Sequence, residues 1–260
     1  MRFALFTLIL VLGMSLAAPI IAPYDPMRTT AGPALHPPNS EHLLGTDLLG
    51  RDVLSRVLYG GRRTLSIAGL ATLTAVMMGL PPGLSAGMLG RRVDQIIMVV
   101  NNSMLAIPPL VIALVVLTLW GQGMIQLALA TGIAQIPAFV QVTRSATIIV
   151  RSANYIEGAQ AIGATRLYIA VNHISPNIRP TLLSYTGVTF AYTIINSAAL
   201  SFLGLGGDPG VPDWGVIVAE GRQAFQAAPW IAIAPGLMIV ITVMAVNTIA
   251  DRLAAHSSSF

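Results

Sequence analysis

Of 260 residues, 55% are hydrophobic and 9% charged, with a mean hydropathy of +0.75, whereas a soluble domain carries about 25% charged residues. All 14 cationic side chains are arginines, so a phosphate loop built on lysine and Schiff-base chemistry are both excluded. The cysteine count of 0 removes thiol nucleophiles, disulfides and cysteine-based metal sites.

Four dispersed histidines, His36, His42, His173 and His256, suggest no metal site. The isoelectric point near 10.0 comes without any basic run, so the charge reads as a membrane-orientation signal rather than a nucleic-acid footprint.

Stretches without Asp, Glu, Lys or Arg cover 3–24, 64–90, 95–143, 180–207 and 223–250, against the ~20 apolar residues a helix needs to cross a bilayer. The run 95–143 is too long for one crossing and contains Trp120-Gly121-Gln122-Gly123, a turn-forming cluster. The chain therefore reads as an all-α polytopic membrane protein, one transmembrane domain over 1–260. Its six predicted spans are 3–22, 64–88, 95–119, 124–142, 181–203 and 229–250. Ser15-Leu16-Ala17-Ala18 resembles a signal-peptide cleavage site, but Arg2 is the only basic residue before it and apolar residues continue through Ile21, which favours a span.

With six spans both termini share a side. On that side lie eight arginines against Asp94, Glu157 and Asp251, net +5; on the other lie six arginines against seven carboxylates, net −1. Basic residues resist translocation, so the first side is predicted to be cytoplasmic. Trp120, Trp214 and Trp230 then fall at the outer face, as an aromatic belt would place them. The substantial segments outside the spans are an external 23–63, an internal 143–180 and an external 204–228.

In the first external segment, Gly45 and Gly50 allow tight turns and Asp47, Arg51, Asp52 and Arg56 are close enough to pair. A self-satisfied cap over the helix ends is favoured there over direct substrate contact. Pro81-Pro82-Gly83 and Pro108-Pro109 interrupt two spans; kinks packed against neighbours are favoured over broken helices forming a substrate site. Asn101, Asn102 and Asn196 are polar groups at membrane depth, candidates to face the bundle interior or a translocation path.

In the internal segment, Gly163 stands where a helix C′ glycine would, Thr165 can cap a second helix and Pro176 is placed to end it. This predicts two short helices at an angle. Leu167, Ala170, Val171 and Ile174 form an apolar stripe on the second, suited to lipid headgroups or to a partner's groove. The glycine-rich stretch 204–210 has no following Lys, Ser or Thr, so a flexible turn at a channel mouth is favoured over a phosphate nest.

Glu157, Ala159, Gly163, Ile174 and Pro176 together resemble the EAA loop of ATP-binding-cassette (ABC) importer permeases, the docking element for the ATPase subunits. Gly158 replaces the usual first alanine, at a cost of about 0.5–1 kcal/mol in helix stability, and Ser175 replaces a leucine. The segment His42–Arg56, preceded by Ala22-Pro-Tyr-Asp-Pro26, is similar to the external signature of the dipeptide/oligopeptide/nickel permeases, specifically their second membrane subunit. Ser201–Gly206, Trp214-Gly215, Ala228-Pro-Trp230, Pro235-Gly236 and Asn247 with Asp251 match the same family's last third. The chain departs in having Met98-Val-Val-Asn-Asn102 where such permeases show Met-Arg-x-x-Asp, and only Arg2 before the first span.

The resemblance implies a type I importer permease fold in the bacterial inner membrane, N-in and C-in. It further implies an ATPase-coupling loop at Glu157, Ala159, Ala161, Gly163, Ala164, Ile174 and Pro176. The implied partners are a homologous second permease subunit, two ATPase subunits or domains holding ATP and Mg, and an external solute-binding protein; this chain itself holds no cofactor and performs no catalysis. The implied cargo is a peptide or related small solute, with nickel or a metal chelate as the alternative. An ion-coupled secondary transporter would carry carboxylates within its spans and an intramembrane protease a buried catalytic pair; the predicted spans contain no Asp, Glu or His.

Overall fold

The computed structural model describes residues 1–206 and 210–257. These residues are helical apart from connecting segments and one isolated antiparallel bridge between Thr46 and Asp52. In chain order the helices are α1 (Arg2–Leu16), α2 (Ala18–Ile21), α3 (Val53–Met88), α4 (Arg91–Leu105), α5 (Pro109–Trp120), α6 (Met124–Arg151), α7 (Asn154–Ala161), α8 (Arg166–Ile169), α9 (Ser175–Phe202), α10 (Trp214–Gln223) and α11 (Trp230–Ser257), with a π-helical turn, Ala170–Ile174, joining α8 to α9.

Each predicted apolar run folds as helix, but the runs are not equivalent. By length and composition α3, α6 and Trp230–Ala255 of α11 can each cross a membrane alone, and α4 with α5 qualifies only as a pair bent by 87°. By that measure three helices, or four with the bent pair, qualify among the described residues, against the six spans expected. α1 is short at 15 residues, and α9 is diluted by Ser184, Thr186, Thr189, Thr193, Asn196 and Ser197. Two of those hydroxyls bond between helices: Ser184 donates to the Ala250 carbonyl at 2.6 Å and Thr193 to that of Ala68 at 3.3 Å. α9 thus packs at the centre of the bundle against α3, α6, α10 and α11.

The two proline pairs behave differently. Pro108 is extended and caps α5, with Pro109 in its first turn, so the predicted span 95–119 is broken there. Pro81 and Pro82 lie inside an unbroken α3, contrary to the expected interruption. The reason is visible on α3's packed face. Gly79, Gly83 and Gly87 repeat every fourth residue, and a Cβ on each would lie 2.9 Å from Phe139 Cβ, 2.6 Å from Thr143 Cβ and 2.5 Å from Thr147 Cγ2 of α6. Such close approach, set by small residues, holds the two helices together along their length.

Helix ends also run beyond the predicted spans. α3 begins at Val53 rather than 64 because Asp52 caps it, accepting from the Ser55 amide at 2.8 Å and the Ser55 hydroxyl at 2.7 Å. α6 continues to Arg151 and α9 starts at Ser175, which narrows the non-helical part of the predicted internal segment. The external loop contains α10, capped by Asp213 through the Val216 amide at 2.9 Å. Trp214 is not in an aromatic belt: it is fully buried, and its indole donates to the Val57 carbonyl at 2.9 Å. Of the glycine-rich stretch 204–210, residues 207–209 lie outside the described residues.

Candidate functional site

At the end of the bundle where α6 stops, α7 is set off by Ser152 and Ala153 and terminates at Gly163, whose φ of +87° is the left-handed conformation expected of a C′ glycine. Thr165 caps α8 as predicted, its hydroxyl accepting from the Tyr168 amide at 3.2 Å. Pro176 does not end the second helix. The π turn carries the chain from α8 directly into α9, and Pro176 occupies the first turn of α9, where its missing N–H disrupts least. The element is therefore one short helix, a sharp turn, and the extended lower end of α9.

This arrangement has two faces. Ile156, Ile169, Ile174 and Ile178 are buried together, with Leu84, Met88, Ala146 and Val150 packed around them. Opposite them, Ile162 is 88% exposed and Leu167 74% exposed, beside exposed Tyr155, Glu157, Tyr168 and Val171. The predicted stripe is thus divided: Ile174 belongs to the core, Leu167 and Val171 face outward and Ala170 is half-buried. Of the other candidate loop residues, Ala161, Gly163 and Pro176 are exposed, and Ala159 and Ala164 are half-buried. Glu157 lies in the first turn of α7, where its charge suits the helix dipole, and makes no hydrogen bond or ion pair among the described residues.

Asn101 and Asn102 share α4, the first buried with its Nδ2 unpaired among the described residues and the second exposed; Asn196 is half-buried on α9. None of the three lines a mostly apolar groove of about 590 Å³ between α6 and α9. That groove is lined by Gln141, Ser145, Asn177, Thr181 and Tyr185, with Leu105 from the end of α4. Sequence reasoning missed these residues because hydroxyls and amides at four-residue spacing on α6 and α9 carry no signal until the two helices are placed side by side. Also missed was Arg144 of α6 gripping Asp94 of α4 with both nitrogens of its fork, Nη2 donating at 2.6 Å.

The external segment is tied together and to α10 by buried ion pairs. Arg56, fully buried, donates to Asp47 at 2.6 Å and to Glu220 of α10; Arg51 donates to the same two carboxylates at 2.6 and 2.8 Å. His42 Nδ1 meets Asp52 Oδ1 at 2.9 Å. Asp47 also accepts from the amides of Leu49 and Arg51 at 2.8 and 3.0 Å. The pairing expected from the sequence is present, with one member, Glu220, that local spacing could not reveal, but it is not fully self-satisfied: Arg56 Nε and Nη2 are buried without a hydrogen-bond partner among the described residues. Asp213 is also buried here, and desolvation pushes its carboxyl above the ordinary range despite donors from Val216 and Ser201.

A family model described as "Binding-protein-dependent transport system inner membrane component" matches residues 79–259. The di/tripeptide transport system permease protein DppC of Pseudomonas aeruginosa is 34% identical over 255 residues, covering 96% of this chain and 84% of that protein. The glutathione transport system permease protein GsiD of Pectobacterium atrosepticum is 36% identical over 250 residues, covering 96% and 83%. Among solved structures, one titled as inward-facing conformations of the MetNI methionine ABC transporter matches with a TM-score of 0.64 at 17% identity, covering 78% of this chain and 96% of that one. The last of these shows the fold, and the match over most of the chain shows the lineage: this protein belongs to the family of binding-protein-dependent transport system inner membrane components, as a permease subunit of an ABC importer.

Proposed function

We propose that the chain forms half of a translocation path for peptides or related small solutes, beside a homologous second permease subunit. The peptide assignment is supported by the names of the relatives, and the mostly apolar groove that carries Gln141, Ser145, Asn177, Thr181 and Tyr185 is the surface suited to line the path. Asn101, Asn102 and Asn196 remain candidates for the same path. An external solute-binding protein delivers the cargo to the face built from residues 23–52 and α10. Both termini lie in the cytoplasm.

Two ATPase subunits or domains, which hold ATP and Mg, dock on the loop of Glu157, Ala159, Ala161, Gly163, Ala164, Ile174 and Pro176. The observation that carries this is the two-faced build of the α7–α8 element: its isoleucines are anchored in the core while Ile162, Leu167 and Glu157 are presented outward without partners. A rigidly seated element with an unpartnered apolar surface transmits force from a bound motor to α6 and α9.

Replacing Gly163 by valine tests this. Nothing lies within 4 Å of a Cβ at Gly163, so the penalty is backbone strain alone at φ +87°, on the order of 1 kcal/mol or more, and confined to the loop. Membrane level should be near normal while uptake falls several-fold, with ATPase subunits lost on co-purification or hydrolysing ATP without import. Glu157→Ala should act in the same direction. Unchanged uptake in both variants at normal expression would place the docking surface elsewhere.

A further inference from the structure

A second cavity, about 300 Å³, lies behind the α7–α8 element. Its walls come from three segments far apart in sequence: the α3–α4 turn at Gly90, Arg151 as the last residue of α6, and Gln160 with Arg166 on either side of the Gly163 turn. Ile169 and Ile174 form its apolar floor, and no carboxylate lines it.

The two guanidiniums have little to do within the chain. Arg151 Nη1 donates to the Gly87 carbonyl at 3.0 Å, and Arg166 makes no hydrogen bond or ion pair among the described residues. Gly90, at φ +101°, is the N-cap of α4 and offers no side chain to the first amides of that helix. Asp94, the acidic residue of that first turn, is already held by Arg144. A polar concavity lined by two exposed arginines and an amide, beside the uncapped start of α4 and with no carboxylate among its lining residues, is short of an anion. Arginine forks match the tetrahedral oxygens of phosphate better than they match halide.

We propose that this cavity binds a phosphate-bearing anion, either the headgroup phosphate of an anionic lipid or a soluble phosphate, between Arg151 and Arg166. Bound there, the anion ties the α3–α4 turn and the end of α6 to the α7–α8 element. The binding claim stands whether or not that element docks an ATPase, because its test reads binding alone.

The full chain purified in a maltoside detergent, which carries no phosphate, provides the material. One arm titrates radiolabelled inorganic phosphate by equilibrium dialysis at constant ionic strength; the other titrates phosphatidylglycerol and counts retained lipid by native mass spectrometry. Saturable binding near one per chain is expected in at least one arm, weakened at least tenfold by Arg166→Gln. That substitution removes no side-chain hydrogen bond or ion pair among the described residues, so folding should be unaffected. Arg179→Gln, a cation outside the cavity, should leave the affinity unchanged. Retention of lipid alone assigns a headgroup, and retention of phosphate alone a soluble anion. Binding that does not saturate, or that is equal in Arg166→Gln and the unmodified chain in both arms, overturns the proposal.

Discussion

Gly83→Val is expected to unseat α3 from α6 and to abolish a stably folded permease. A Cβ at this position would lie 2.6 Å from Thr143 Cβ and 2.8 Å from the Val140 carbonyl oxygen. The second of these is backbone and cannot rotate away. The contact sits mid-way along the Gly79–Gly83–Gly87 stripe, so the helices must separate along their length rather than pivot at one end. Overpacking of this kind costs about 1–3 kcal/mol, and more where backbone must move; valine's branched Cβ places it at the upper end. The measurement is the fraction of monodisperse protein recovered in detergent together with its thermal midpoint. Gly236→Val on α11 is the control, because nothing lies within 4 Å of its Cβ. Equal recovery and midpoint for the two variants would show that the α3–α6 seam is looser than the structure has it.

Asp47→Ala should be the most damaging change outside the helices. It strips Arg56, fully buried, and Arg51 of a shared carboxylate and leaves the amides of Leu49 and Arg51 without their acceptor. Removing one partner of a buried ion network costs about 3–5 kcal/mol, because the remaining charge cannot return to water. Segment 23–52 should then detach from α10 and become sensitive to added protease at low concentration. Asp25→Ala serves as comparison: its carboxylate is exposed and, among the described residues, accepts only the Met27 amide, so a change within about 1 kcal/mol is expected. Similar protease resistance of the two variants would mean that the network does not hold the segment.

Helical character and the apolar runs were legible in the sequence because lipid demands long uncharged stretches. The turn at Gly163 and the cap at Thr165 were legible because each rests on a local backbone requirement. What escaped the sequence depends on neighbours. Pro81-Pro82 and Pro108-Pro109 look alike in one dimension, yet α3 stays continuous under its glycine contacts with α6 while the other pair opens into an 87° bend. Pro176 was expected to stop a helix, but a π turn allowed the chain to run through it. Trp214 reads as an interfacial residue until its indole is found on the Val57 carbonyl. Glu220 lies 169 residues from Arg51, beyond any spacing argument. The paired surfaces of the α6–α9 groove belong to the same class: each helix alone shows only scattered polar residues.

The α7–α8 element is expected to face the cytoplasm and to receive the ATPase. Because the chain has no native cysteine, Ile162→Cys gives a single reactive position on the outward surface, and Ser40→Cys one on the predicted opposite side. Both variants, co-expressed with the cognate ATPase subunits, are treated with a short bifunctional maleimide in inverted membrane vesicles. The account predicts a covalent adduct between the Ile162 position and an ATPase subunit, with a yield that changes when ATP is added, and no adduct from Ser40. An adduct from Ser40 and none from Ile162, or labelling of Ile162→Cys by an impermeant maleimide from outside intact cells, would contradict it.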